Sequence, residues 1–154
     1  MGERTILYVT FLSHLLSTLK TAGYERRLMN KSIGSKCWVI AEGYIPAYSN
    51  GPEPQFTSHE TVCILNTSDQ DAHVQITIFY SDKEPVGPYR VTVPARRTKH
   101  IRFNNLTDPE PIPHDTDFAS AIESDVPIVV QHTRLDSRQA ENAWLSTIAY
   151  AYSS

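Results

Sequence analysis

The sequence predicts an all-β fold, a two-sheet antiparallel β-sandwich of about seven to eight short strands. Three observations carry this expectation. From residue 36 onward the apolar residues recur mainly with period two, the signature of half-buried strands. Turn-forming residues interrupt these runs roughly every 8 to 15 residues. No helical pattern of crossover length separates the runs, which disfavours parallel βαβ units. A sandwich of two antiparallel sheets is the architecture such a pattern fits best. Size and composition agree. The chain has 154 residues, 40% of them hydrophobic and 20% charged, which suits one globular domain with a substantial core and argues against disorder.

The elements follow in order. Residues 36–41 (KCWVIA) form a short apolar run, and 42–46 read as a turn. Residues 46–56 carry Pro46, Pro52, Pro54 and Asn50-Gly51, so they predict a long irregular loop. Residues 57–66 predict the next strand, and 66–71 a polar turn. In 73–80 (HVQITIFY), Val74, Ile76, Ile78 and Tyr80 share one face. Residues 81–88 read as a turn. Tyr89, Val91 and Val93 then alternate with Arg90 and Thr92, and Pro94-Ala95 breaks the run. Residues 98–103 follow, with Ile101 and Phe103 inward. A proline-rich loop spans 104–117. Residues 118–122 predict a short strand, and 126–133 a central one with Pro127 at its beginning. Residues 134–142 are polar, with helical-turn character, and 143–150 predict the closing strand.

The first 31 residues differ from the rest. They hold five basic and two acidic side chains, whereas residues 32–154 hold nine basic and fifteen acidic ones, within a whole-chain charge of −3. Three readings compete for this N-terminal extension. As a signal peptide it has a diluted apolar stretch and a poor cleavage site. As a short amphipathic helix it places Leu12, Leu15, Leu16 and Leu19 on one side. As upstream sequence it precedes a chain start at Met29. No uninterrupted apolar run reaches membrane-spanning length.

Motifs for known chemistry are sparse. No phosphate loop, dinucleotide fingerprint, HExxH, CxxC or GxSxG occurs, so no enzyme activity, cofactor or metal is expected. Cys37 and Cys63 do not make a disulfide framework. His59, Glu60, His132 and Arg134 form an interesting set if the strands that carry them meet, with His59 and His132 read as strand-surface or hydrogen-bonded interior residues rather than metal ligands. His114-Asp115-Thr116-Asp117 reads as a solvated turn. Arg96, Arg97 and Lys99, with Arg102, make the dense basic patch and are candidates for contact with DNA or an acidic partner. Alternation puts Arg96, Thr98, His100 and Arg102 on one face. Trp38, Glu42, Tyr44, Tyr48, Glu53 and Phe56 mix aromatics with carboxylates. Such a mixture serves either a sugar-stacking surface or an oligomer interface, with the interface preferred.

Several long strings carry a resemblance. CWVIAEGYIP (37–46), GPEPQF (51–56), SHETVCILN (58–66), YSDKEPVGPYR (80–90), VPARRTKH (93–100) and VVQHTRLDSRQAENAWLSTIAY (129–150) closely resemble the cyanobacterial (Anabaena-type) sensory rhodopsin transducer family. The resemblance covers about residues 32–152. It implies a transducer-like β-sandwich domain there and leaves 1–28 without a counterpart. It further implies a soluble, cytoplasmic, non-enzymatic homotetramer that binds the cytoplasmic face of a membrane-embedded sensory rhodopsin and relays its light signal. DNA binding with an influence on gene expression is also implied, and the family sandwich resembles carbohydrate-binding modules. A carbohydrate- or small-ligand-binding module is therefore the alternative function.

Overall fold

The computed structural model describes residues 33–139, 141 and 143–152. The short helix expected within the N-terminal extension lies outside them. Among the described residues there are eight strands, and every pairing is antiparallel. They are β1 (Ser35–Tyr44), β2 (His59–Asn66), β3 (Ala72–Tyr80), β4 (Val86–Val93), β5 (Arg97–Arg102), β6 (Asp117–Asp136), β7 (Ala143–Ile148) and β8 (Tyr150–Tyr152). A short 3-10 turn, Phe103–Asn105, follows β5.

The arrangement is sandwich-like and organised by β6. The first part of β6 lies between β3 and β1, in the ladder β4-β3-β6-β1-β8. The later part, from Val129, lies between β2 and β7, and β5 flanks β2. Inward side chains of both ladders meet in one core that includes Ile40, Val62, Ile64, Val74, Ile76, Ile78, Ile122 and Val130. Burying each such aliphatic side chain stabilises the fold by about 1.5–3 kcal/mol. Strand β3 shows the expected alternation, with Val74, Ile76 and Ile78 buried and His73 and Gln75 exposed.

The strand boundaries differ from expectation at places with identifiable causes. Residues 118–122 and 126–133 are parts of the single twenty-residue β6. Pro127 is therefore inside a strand rather than at its start. It is tolerated because it sits where β6 changes ladders. The pairing with β3 ends at Ser124, the pairing with β2 begins at Val129, and the register with β1 shifts between Cys37 and Ser35. A missing N–H costs least at such an irregularity. The Asp125 carboxylate, beside it, accepts the His73 backbone N–H at 2.8 Å.

Strand β1 runs on through Glu42 and Gly43, where a turn was expected. A side chain at Gly43 would meet the Phe118 ring at 2.4 Å, so the glycine allows close approach rather than a reversal. Strand β4 begins at Val86, ahead of the expected start, with Gly87 at φ +146°. The closing strand is divided at Ala149, whose N–H donates to the Val130 carbonyl at 3.2 Å. Beyond it β8 pairs with β1 instead of β6. Cys37 and Cys63 are free thiols, each half-buried.

Candidate functional site

Strand pairing builds a buried charge network. In the β2–β6 register Glu60 faces Arg134 and Val62 faces His132. These positions point inward, so Glu60 is 0% exposed and His132 is also buried. The Glu60 carboxylate accepts the Tyr44 backbone N–H at 2.9 Å, the Arg134 Nε–H at 2.5 Å and the His132 Nε2–H. The Arg134 Nη1 reaches the more exposed Glu42 carboxylate at 2.6 Å. Burial opposes the charge on Arg134, yet its hydrogen bond to Glu42 and its pairing with Glu60 hold its pKa above the ordinary arginine value. A buried carboxylate needs such partners, because an unpaired one would carry a large desolvation cost. The network fastens three strands: β1 through Glu42 and Tyr44, β2 through Glu60, and β6 through His132 and Arg134.

His59 is one residue away from Glu60 and therefore on the other face of β2. The sequence grouped four residues, and the fold brings together only Glu60, His132 and Arg134. His59 is buried in its own setting. Its Nδ1–H donates to the Thr57 carbonyl at 2.7 Å, and its ring meets Trp144 edge-on at 5.8 Å between centroids. Because His59 and His132 occupy opposite faces, they do not form a shared ligand pair. Among the described residues no three His, Cys, Asp or Glu side chains gather as metal ligands.

The aromatic–carboxylate group also separates. Trp38 is only 5% exposed. Its indole N–H is directed at the Ser35 and Ile128 carbonyls, at 2.9 and 3.0 Å. It belongs to the core and offers no open ring face. Tyr44 donates its hydroxyl to Asp115 at 3.0 Å, and Asp115 also accepts the Ala47 N–H at 3.0 Å. The Ala47 N–H and then the Tyr44 hydroxyl hold the Asp115 carboxyl below the usual carboxylate range. The predicted solvated turn is thus a clamp on the start of the 46–56 loop. Glu53 is exposed in that loop.

The basic patch is divided by the same strand parity. Arg96 lies in the turn before β5, at φ +56°, and its Nε pairs with Asp69 at 2.5 Å. Arg97 and Lys99 are exposed on one side of β5, and the Lys99 ammonium donates to the Thr92 carbonyl at 3.1 Å. Arg102 and His100 take the other side, where Arg102 also donates to the Pro54 carbonyl at 2.7 Å.

Two surfaces were not found by sequence reasoning. One is a mostly apolar groove of about 570 Å³ bounded by Val39, Leu145, Ile148 and Tyr150, with His132 and Glu42 also in its lining. The other is a groove of about 610 Å³ across β5, β2, β6 and β7. The available signal was in residues 143–152, where Trp144 and Ile148 alternate with Leu145 and Thr147, leaving large apolar side chains on both sides. Trp144, Leu145, Ile148, Tyr150 and Tyr152 are all substantially exposed.

A fixed internal charge network, a clamped loop and open apolar strands characterise this all-β domain. The comparisons with known proteins sharpen that class. The family described as Anabaena sensory rhodopsin transducer matches residues 33–151, and the chain belongs to this family of non-enzymatic signal transducers. A solved Anabaena sensory rhodopsin transducer is 80% identical, with 68% of this chain and 100% of that chain covered and a TM-score of 0.63. The solved Thermotoga maritima 1070 protein is 33% identical, with coverages of 77% and 96% and a TM-score of 0.69. No match was found among curated proteins. No helix among the described residues is long and apolar enough to cross a membrane.

Proposed function

We propose that this protein is a soluble, cytoplasmic transducer that binds the cytoplasmic face of a membrane-embedded sensory rhodopsin and relays its light signal. The observation that carries the reading is 80% identity along the full length of a solved Anabaena sensory rhodopsin transducer. The working unit in this reading is residues 32–152, a two-sheet sandwich whose sheets share β6, with 1–31 as an extension outside it. The exposed apolar residues of β7 and β8 support assembly as a homotetramer, since apolar and aromatic side chains of this kind are enriched where copies meet. Transmission to gene expression through DNA is supported by the exposed Arg97 and Lys99, while Arg96 is already engaged by Asp69. The carbohydrate-module alternative loses Trp38 as its stacking residue.

Isothermal titration with detergent-solubilised sensory rhodopsin tests the docking. Saturable heat with a defined stoichiometry is the expected result. A titration indistinguishable from detergent alone would overturn it.

A further inference from the structure

We propose that Asn50, in the loop between β1 and β2, is a self-modifying site: it loses its side-chain amide nitrogen through attack by the Gly51 backbone and becomes aspartate or isoaspartate. Asparagine is a chemically labile residue, and the fold decides how far each one is protected. The reaction needs a free amide, an unhindered following nitrogen and a chain loose enough for the two to meet.

The 46–56 loop supplies all three. Asn50 and Gly51 are both exposed, at the kind of loop tip where local opening costs little. The loop is held by other atoms. The Asn50 backbone N–H donates to the Ser137 carbonyl at 2.6 Å, the Phe56 N–H to the Pro52 carbonyl at 3.0 Å, and the Ser58 N–H to the Ser49 hydroxyl at 2.8 Å. Among the described residues, none of these bonds engages the Asn50 amide group or the Gly51 N–H. Gly51 has no Cβ to shield its nitrogen. It also sits at φ +127°, where an L side chain is strained, and a Cβ there would lie 2.9 Å from the Phe56 Cβ. The loop therefore requires glycine beside this asparagine. Asn66 shows the opposite case. It is buried, its Nδ2 is directed at the Gln70, Val93 and Pro94 carbonyls, and its Oδ1 accepts from the Ser68 N–H and hydroxyl. Asn104 is also tied, through its Nδ2 to the Ser58 carbonyl at 3.1 Å.

The step balances without a cofactor. The Gly51 nitrogen gives up its proton to solvent and attacks the Asn50 side-chain carbonyl carbon. A new C–N bond forms, the bond to the side-chain nitrogen breaks, and that nitrogen leaves as ammonia. Water then opens the cyclic imide. Opening at the side-chain carbonyl gives aspartate, and opening at the backbone carbonyl gives isoaspartate. The sum is asparagine plus water giving either acid plus ammonia. Because the attacking nitrogen must lose a proton, the rate rises with pH. Both products add a carboxylate to a part of the chain that already holds fifteen acidic and nine basic side chains. Isoaspartate also inserts a carbon into the backbone between the anchor on Ser137 and Gly51.

Ageing the full chain at neutral and mildly alkaline pH, with peptide mass mapping and isoaspartate-specific methylation, tests the proposal. Residue 50 should convert faster than Asn66 and Asn104, and faster at the higher pH. Its rate should lie within about tenfold of that in a free peptide spanning residues 46–56, since the loop offers little protection. Hydroxylamine added during ageing should trap the imide and cut the chain between Asn50 and Gly51. Asn50→Gln, a change at an exposed loop position, should abolish both the isoaspartate and the cut. Asn50 left intact, conversion no faster than at Asn66, a rate far below that of the peptide, or a cut that persists in the variant would overturn the proposal. The readouts are mass and cleavage, so receptor docking and this reading can each fail alone.

Discussion

Glu60 is an ionisable side chain closed off from solvent, and three donors converge on it, from Tyr44, His132 and Arg134. Removing the carboxylate leaves the half-buried Arg134 guanidinium without its inner partner and the buried His132 without its acceptor. Glu60→Ala should therefore cost about 3–5 kcal/mol of stability. Glu42 pairs with the same arginine from an exposed position, so Glu42→Ala should cost about 1 kcal/mol or less. Urea denaturation of the two variants checks the contrast. His59 predicts a pH effect of stated sign. Its native pKa lies below the ordinary value, chiefly through burial, so the unfolded chain binds the proton more readily. The stability from neutral His59 is present above about pH 6.5 and is lost as pH falls through the native pKa. His59→Gln should lose less stability than the parent on going from about pH 7 to pH 5, measured by urea midpoints. At this scale, the sequence grouped Glu60 with His59, His132 and Arg134 because their strands could meet, but the register that joins His132 and Arg134 to Glu60 and separates His59 was not readable. The Glu42 partner was hidden, because Glu-Gly-Tyr read as a turn.

Gly43 shows why that turn was misread. Glycine in a strand pattern suggests a break, but here β1 continues and the glycine makes room for Phe118. The Phe118 ring packs edge-on against Phe103 at 5.7 Å, so it has little freedom to move aside. Gly43→Ala should destabilise the protein by about 1–3 kcal/mol through overpacking. Phe118→Leu in the same chain should reduce that penalty, and a double-mutant cycle by thermal or urea denaturation measures the coupling. Strand β6 teaches a related lesson. Its alternation was visible in both halves, but Pro127 suggested an end where the strand only exchanges partners. The division of the closing strand at Ala149 was equally hidden, because nothing local in the sequence says that β8 will pair with β1. Local pattern located the elements, while the change of partner is a property of the assembled ladders.

The molecule as a whole carries a charge of −3, with a positive excess in residues 1–31 and a negative one in 32–154. Any DNA affinity of the latter part must come from local cations acting against an unfavourable net field. If Arg97 and Lys99 supply phosphate contacts, replacing both with Gln should weaken a DNA mobility shift and lower its salt slope by about two. An unchanged slope would remove them from that role. The dimensions of the fold class were readable from period-two patterning, and family membership from long contiguous strings. The open apolar grooves were not, since they arise where β7 and β8 leave Trp144, Leu145, Ile148 and Tyr150 open. The most direct test of the transducer account is co-sedimentation with lipid vesicles that contain or lack a sensory rhodopsin. The account predicts protein in the pellet with receptor-bearing vesicles only, saturating as protein is added. Equal recovery with both vesicle types, or none with either, would contradict it.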